Sequence, residues 1–258
     1  MKSRQEIKAI AKLAMKEQRG TSIATVLLVA LVSYVGTMFN IIPGGELGPV
    51  LVLASVFIVD YPIMVNASRI YIKLFNREQA SAGELFTNFS VNYWRKVGGM
   101  AWMFLFLFLW MLPVLFLVFV LAESEVSLNI IRVSAFLLSV PVVIKFISYS
   151  MTAFILADCP EVPARQAIRL SIRITSGHKL DLFLMTLSFI GWIALCILPV
   201  ALGFIFETDL GMIAATVLII VFLYPYMAIA QAGLYMELRD KAVASGSIDM
   251  SEIRPWVQ

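Results

Sequence analysis

Two ionisable side chains interrupt otherwise apolar stretches of this chain. Asp60 lies near the middle of the run 49–72, and Lys145 lies near the middle of the run 133–157. An ionised side chain at the centre of a bilayer costs about 2.5–3.5 kcal/mol on insertion scales, so such residues usually pair or line a functional path. We therefore expect an ion pair between Asp60 and Lys145, serving either as a structural lock or as part of a substrate or proton site. Asn66, in the same run as Asp60, is a further candidate for that site.

Side chains for catalysis or metal binding are scarce. The single histidine, His178, lies in a polar connection, and the two cysteines, Cys159 and Cys196, lack metal-ligand spacing and are too few for a disulfide framework. The sequence contains neither an HExxH motif nor a glycine-rich phosphate loop. These observations predict a protein with no catalytic residues, no metal and no cofactor.

The composition indicates the solvent in which these residues must work. Of 258 residues, 60% are hydrophobic and 14% are charged, whereas soluble domains average about 25% charged residues. This balance excludes a soluble globular domain and a disordered chain. A helix needs about 20 apolar residues to cross a bilayer. Six runs qualify, and they predict an all-α, polytopic membrane protein with a single domain over 1–258: 21–42, 49–72, 97–121, 133–157, 182–206 and 212–236.

The distribution of positive charge predicts the orientation of these six spans. All but Arg132 and Lys145 of the 20 Lys and Arg residues lie in the amino-terminal segment, the connections between spans 2 and 3 and between spans 4 and 5, and the tail, when Arg69 at the end of span 2 is counted with the connection that follows it. Positive charge is enriched on the cytoplasmic side. We therefore predict three membrane hairpins with both termini in the cytoplasm. The remaining loops are short and acidic, and their acidic residues are Glu46, Glu123, Glu125, Glu207 and Asp209.

Residues 3–19 have the pattern of an amphipathic helix at the membrane surface. Ser3 and Glu6 have capping-box spacing, and Gly20 is placed to end the helix. Arg4, Lys8, Lys12 and Lys16 recur every four residues and form one basic stripe. Such a helix lies on anionic lipid head groups, or it serves only to orient the first span.

Residues 161–177 predict a second amphipathic helix between spans 4 and 5. Arg165, Arg169 and Arg173 form its basic stripe, and Lys179 follows the glycine that ends it. The stripe is expected to face lipid head groups or a soluble protein partner on the cytoplasmic side. Neither nucleic-acid binding nor a particular oligomeric state is indicated.

Spans 2 and 6 share a short pattern. Tyr61-Pro62-Ile-Met64 and Ala67 match Tyr224-Pro225-Tyr-Met227 and Ala230 at equal spacing. The match permits a duplicated hairpin, which is one route to transporter folds. Spans 2 to 6 each contain an internal proline, which permits a kink; these prolines are Pro62, Pro113, Pro141, Pro199 and Pro225.

Several strings carry a family resemblance. They are Arg4 to Lys8, Ala157-Asp158-x-Pro160, Gly177-His-Lys179, Leu187-Ser-Phe-Ile-Gly-Trp192 and Pro225-Tyr226. Together they resemble the bacterial integral membrane family called domain of unknown function 975, over nearly the whole chain. Thr175-Ser176 departs from the Met-Lys-like pair usual in that family. The resemblance implies a bacterial cytoplasmic-membrane protein and implies no activity. The chain is also similar to membrane domains fused to some glycerophosphodiester phosphodiesterases, but it lacks their hydrolase domain.

The string around Ser188 predicts a place where helices pack closely. Gly191 permits a close approach, Ser188 has a hydroxyl for a neighbouring helix or for its own backbone, and Trp192 offers a large packing surface.

Two functions fit these observations. The first is a non-enzymatic membrane protein that acts through lipid or protein partners in envelope homeostasis or in protection against membrane-active peptides. The alternative is a transporter or exporter of a small or amphipathic substrate that uses the Asp60 and Lys145 site.

Overall fold

Helices make up the regular structure of the chain wherever the structure describes it. The computed structural model describes residues 2–41, 47–122, 127–206 and 208–254, and no strand occurs in these ranges. The helices are α1 Arg4–Glu17, α2 Arg19–Thr37, α3 Leu47–Ser55, α4 Tyr61–Phe75, α5 Glu84–Thr87, α6 Tyr93–Ala122, α7 Leu128–Tyr149, α8 Thr152–Asp158, α9 Ala164–Thr175, α10 Lys179–Leu187, α11 Ile190–Ile205, α12 Leu210–Leu218, α13 Tyr224–Ala244 and α14 Met250–Ile253.

Six helical segments are long and apolar enough to cross a membrane, which confirms the predicted number of spans. Most extend beyond the apolar runs, because a helix continues through its polar ends after the hydrophobic stretch has stopped. Glu46, Glu123, Glu125 and Glu207, which belong to the predicted acidic loops, lie outside the described residues. The six segments are Arg19–Asn40, Leu47–Phe75, Tyr93–Leu121, Asn129–Asp158, Lys179–Ile205 and Leu210–Ala244.

The buried core lies at one end of the helical bundle. We call this end the base; it consists of α1, α4, α8, α9 and α13, whose buried side chains form one continuous cluster. Away from the base, α6 packs on α7 and α11 packs on α12. The large apolar side chains there face outward, as Phe116 and Phe136 do at 70% exposure. Exposed apolar surface on this scale requires lipid or another apolar partner.

Helix α1 is part of the base rather than a helix that lies only on lipid. Its capping box between Ser3 and Glu6 is present as predicted. Ile7, Ala11 and Ala14 are at most 1% exposed, and the helix packs against α13 and α4. The apolar face of this helix is therefore buried in the protein, whereas Arg4, Lys12 and Lys16 remain exposed.

The predicted glycine end of α1 is wrong. The helix ends at Glu17, and Gly20 lies inside α2. The side chain of Gln18 stabilises the corner instead, because it donates to the carbonyl of Glu78 at 2.6 Å and accepts from the N–H of Ala80 at 3.1 Å.

The shared pattern of spans 2 and 6 corresponds to a shared backbone irregularity. One π-helical turn, Val56–Asp60, immediately precedes Tyr61-Pro62, and another, Ile219–Leu223, immediately precedes Tyr224-Pro225. Proline has no N–H and its ring crowds the carbonyl four residues earlier, so a widened turn relieves the conflict. Both irregular turns therefore follow from the same local sequence.

Candidate functional site

A buried ion pair joins the end of span 4 to span 6 at the base. Asp158 Oδ2 accepts a hydrogen bond from Arg239 Nη1 at 2.7 Å and another from the Tyr235 hydroxyl at 2.8 Å. The side chains of Asp158 and Arg239 are 1% and 5% exposed. Tyr235 and Arg239 are one helical turn apart on α13, so they reach the same carboxylate from one face. This cluster is enclosed, and Asp158 Oδ2 is satisfied, whereas the buried Asp158 Oδ1 has no hydrogen-bond partner among the described residues. The enclosed pair suits a structural lock.

Cys159, beside this pair, is not built as a nucleophile. Its Sγ lies 3.9 Å from both Asp158 Oδ2 and the Tyr235 hydroxyl, and the residue is fully buried. Burial, reinforced by the negative charge of Asp158, raises the pKa of the Cys159 thiol to about 12. The thiolate, which is the reactive form, is therefore scarce at neutral pH.

A second polar cluster lies where span 2 meets the start of span 3. The Lys96 ammonium donates to Asn66 Oδ1 at 2.7 Å and to the Asn88 carbonyl at 2.6 Å. Asn66 in turn donates to the Leu85 carbonyl at 2.7 Å. Asn66 is thus placed in a buried polar network at the base. Its partners come from the connection between spans 2 and 3 and from α6.

The predicted ion pair between Asp60 and Lys145 does not form. No ion pair joins these two described residues. Asp60 instead meets the hydroxyl of Ser33 in span 1. The Lys145 ammonium lies 4.7 Å from the ring centroid of Trp110 on α6. The two side chains therefore have separate surroundings, one near a hydroxyl and the other over an aromatic face.

The string around Ser188 marks a break in span 5. Helix α10 ends at Leu187 and α11 begins at Ile190. The Lys8 ammonium of α1 donates to the Ser188 carbonyl and to its Oγ, both at 3.1 Å, and it lies 4.4 Å from the ring centroid of Phe189. The break thus exposes a carbonyl, and α1 supplies the donor for it.

The close helix approach predicted at Gly191 is wrong for this chain. No neighbouring atom lies within 4 Å of where a Cβ would stand. Trp192 is 49% exposed, so it adds little packing surface inside the protein. Ser188 does bond both to its own helix, through the Met185 carbonyl at 2.6 Å, and to Lys8.

The three arginines of the second amphipathic helix differ in their surroundings. Arg165 and Arg169 on α9 are exposed, and the Arg165 guanidinium lies 5.5 Å from the ring centroid of Trp102. Arg173 donates to Glu252 at 2.7 Å and to the Ser247 carbonyl at 3.1 Å, so it is already engaged by the carboxyl-terminal residues. Gly177, at φ +77°, ends this region as predicted.

These side chains border an open groove on the base. The groove has a volume of about 580 Å³ and is lined by Arg165, Arg169, Arg173 and Glu252 among others. Lys179 begins α10 and is only partly exposed. Of the four basic residues predicted to face a ligand, Arg165 and Arg169 therefore lie exposed on the surface, and Arg165 also lies beside the Trp102 ring.

Sequence reasoning missed most of the buried network. It treated Asp158 and Arg239 as loop and tail charges, although they pair across 81 residues. The available signal was the spacing of Tyr235 and Arg239, which puts two donors on one helical face. In the described part of the chain, no group of three or more His, Cys, Asp and Glu residues is arranged to hold a metal.

Comparison with known proteins gives a match to one protein family. The family model described as "Protein of unknown function (DUF975)" matches residues 1–242. No curated protein and no solved structure matches the chain.

Proposed function

The chain belongs to the DUF975 family, and we propose that it is a bacterial cytoplasmic-membrane protein that acts without catalysis, through lipid or protein partners. Its role in this proposal is envelope homeostasis or protection of the membrane against membrane-active peptides. Six apolar helices and the outward-facing apolar side chains support the membrane assignment. A relation to the membrane domains of glycerophosphodiester phosphodiesterases is part of the same proposal.

The proposed orientation puts the base and both termini in the cytoplasm. The base holds α1, α9 and the end of α13, which are the segments rich in Lys and Arg. Positive charge favours the cytoplasmic side. Cysteines introduced singly at exposed Lys12 and at exposed Arg132 test this orientation. In intact cells, a membrane-impermeant thiol reagent should label the second and spare the first, and the reverse pattern would contradict the proposed orientation.

The exposed basic surface of the base is the observation that carries the proposal. Arg165 and Arg169 on α9 and Arg4, Lys12 and Lys16 on α1 are all exposed. Each Lys or Arg near an anionic leaflet contributes about 1 kcal/mol of attraction. A rigid base with this surface can hold anionic head groups beside the bundle or dock an acidic partner.

The test compares variants in cells that lack the native gene. We expect such cells to become more sensitive to a cationic membrane-active peptide, and the wild-type protein to restore resistance. The double variant Arg165→Gln with Arg169→Gln should restore less than half of it at equal expression. Arg132→Gln, at the other end of the bundle, is the matched control and should restore it fully. Full protection by the double variant would count against the basic surface.

A transporter is the second candidate, and one observation favours it. The two π-helical turns occupy matching places in spans 2 and 6, and Asp60 is the last residue of the first turn. Such turns are frequent at functional sites. In this proposal the transport site includes Asp60 but not Lys145, because the two residues do not pair. Substrate-dependent efflux from proteoliposomes that Asp60→Asn abolishes and Lys145→Gln preserves would support it, and no substrate-dependent flux would contradict it.

A further inference from the structure

A narrow cleft at the base is lined by three basic side chains. Arg69 comes from span 2, and Arg95 and Lys96 come from the first turn of α6. Arg69 and Arg95 are the charged neighbours of Lys96. None of the residues that line the cleft, all of them described, is acidic.

The hydrogen bonds of two of these cations do not neutralise their charge. Lys96 is 6% exposed, and it donates only to an amide oxygen and a backbone carbonyl. Arg95 donates to the carbonyls of Leu156 and Val162, and its buried Nε has no hydrogen-bond partner among the described residues. Buried charges are ordinarily paired with an opposite charge, because removing them from water is costly. The cleft therefore has an excess of positive charge that an anion would balance.

The backbone adds to this attraction. Helix α6 spans Tyr93–Ala122, and its amino-terminal end borders the cleft. Asn92 precedes the helix at φ +51°, lines the cleft, and accepts from the N–H groups of Arg95 and Lys96 at 3.1 and 3.2 Å. The amino terminus of a long helix carries a partial positive charge that favours phosphate and carboxylate groups.

The size and position of the cleft indicate the kind of anion. Its volume of about 30 Å³ has room for about two water-sized groups, such as two oxygens of a phosphate. Trp94, next to the lining residues, is 78% exposed at the end of span 3. Exposed tryptophans at the ends of spans lie at the level of lipid head groups.

The geometry points to a binding site for a phosphate group in the cleft of Arg69, Arg95 and Lys96. The phosphate belongs either to an anionic lipid head group or to a soluble phosphate compound. The site rests on the membrane placement proposed above, but its residues are separate from the exposed surface of Arg165 and Arg169. If the Arg165 and Arg169 double variant protected cells fully, the exposed basic surface would be contradicted, but the phosphate site would not be.

Thermal unfolding of the full-length protein in a neutral detergent tests the site. The probes are inorganic phosphate at constant ionic strength, dioctanoyl phosphatidylglycerol, and dioctanoylglycerol, which has the same chains without phosphate. A ligand of the native state raises the unfolding temperature as its concentration rises. We expect phosphate, phosphatidylglycerol or both to do so, and dioctanoylglycerol to have no effect.

Two variants and one control locate the effect. Lys96→Gln keeps a donor for Asn66 but removes the charge, and Arg69→Gln removes a charge from the opposite wall. Each should weaken binding about tenfold or more, the loss of one charged contact. Lys145→Gln removes a membrane lysine about 20 Å farther along the bundle by helix rise, and it should bind as the wild type does.

The results of this experiment distinguish a lipid phosphate from a soluble one. They can also contradict the proposed site. Stabilisation by phosphatidylglycerol alone identifies a lipid head group, and stabilisation by inorganic phosphate alone identifies a soluble ligand. If neither phosphatidylglycerol nor inorganic phosphate stabilises the protein, the proposal is overturned. Equal stabilisation of wild type, Lys96→Gln and Arg69→Gln overturns it as well, because the anion would then bind elsewhere.

Discussion

Asp158 and Arg239 form the most enclosed ion pair in the described part of the chain, with Oδ2 and Nη1 2.7 Å apart. The pair connects the end of span 4 to the cytoplasmic half of span 6 in the proposed orientation, across 81 residues of sequence. Two charges taken out of water attract each other strongly, but each becomes a large penalty when the other is removed. The pair therefore makes the arrangement of these two spans sensitive to a single substitution.

We predict that Arg239→Gln destabilises the protein by about 3–5 kcal/mol, the usual cost of breaking a buried ion pair. The reason is that the Asp158 carboxylate stays buried and loses its counter-charge. Unfolding in mixed micelles of increasing denaturing detergent measures the change. Arg254→Gln is the control, because its pair with Glu161 is about two-thirds exposed and should cost less than about 1 kcal/mol. Equal losses of stability in Arg239→Gln and Arg254→Gln would contradict a structural role for the buried pair of Asp158 and Arg239.

Tyr235 and Tyr71 offer a matched test of the hydroxyl beside Asp158. Both are buried, but the Tyr235 hydroxyl donates to Asp158 at 2.8 Å, whereas the Tyr71 hydroxyl has no hydrogen-bond partner in the part of the chain that the structure describes. We predict that Tyr235→Phe costs about 1.5–3 kcal/mol, the value of a hydrogen bond to a charged group. Tyr71→Phe should be neutral or slightly stabilising, because it removes an unsatisfied polar atom. The same micelle titration measures both, and a larger loss for Tyr71→Phe would refute the assignment of the network.

Local pattern predicted the elements of this fold well. The six spans follow from hydropathy over about 20 residues, and the capping box at Ser3 and the end at Gly177 follow from a few neighbouring residues. Each of these features is decided within one helix or turn. The sequence alone therefore contains the information that sets them.

Local sequence patterns did not predict which side chains of different helices contact each other. Asp60 and Lys145 lie at similar depths, but depth does not decide which helical faces meet. Asp60 faces Ser33, and Lys145 faces Trp110. The same holds for Lys8, which shares a periodic stripe with exposed lysines yet turns inward to Ser188. Such contacts depend on how α1 and the spans pack, which one sequence does not reveal.

The contact between Lys8 and the break in span 5 predicts that α1 and span 5 open together. Lys8→Met removes the donor to the Ser188 carbonyl and should destabilise the contact by about 1 kcal/mol. We expect faster hydrogen–deuterium exchange in α1 and in the residues around Ser188. Lys12→Met changes an exposed lysine on the same helix and should leave both rates unchanged. Faster exchange in α1 alone would show that the bond does not couple the two.

Cys159 should be unreactive in the folded protein across an unusually wide pH range. Burial raises the pKa of its thiol to about 12, whereas an ordinary cysteine titrates near pH 8.5. Because the thiolate is the attacking form, alkylation by iodoacetamide should stay slow from pH 7 to pH 9 and become fast only on unfolding. A Cys196→Ser background leaves one thiol to follow by mass spectrometry. Alkylation of the folded protein at pH 8 within tenfold of the rate in the unfolded protein would contradict the burial of this thiol.

The contact between Glu252 and α9 should be lost only in acid. We call residues 245–254 the carboxyl-terminal arm; Glu252 of the arm accepts from Arg173 at 2.7 Å. Hydrogen bonds from Arg173, and then from the Asp249 N–H, lower the pKa of Glu252 below its ordinary value. A carboxylate with a lowered pKa in the folded state stabilises that state above its unfolded pKa, which is about 4.3, and the stabilisation is lost as the pH falls through the folded value. The contact between Arg173 and Glu252 should therefore persist from pH 8 to pH 5 and be lost below about pH 4, while the buried side chains of Ile248 and Ile253 keep the arm anchored.

Fluorescence anisotropy of a dye on Ser251→Cys measures the local mobility that follows, because Ser251 is exposed and lies next to Glu252. The folded-state pKa of Asp249 is also lowered, through its bond from the Ser251 N–H, so two carboxylates titrate in the same window. Glu252→Gln separates them. If Glu252 holds the arm, this variant shows high mobility at every pH and no transition remains. A full transition near pH 4 in Glu252→Gln would instead assign the release to Asp249 and to the loss of the cap on α14.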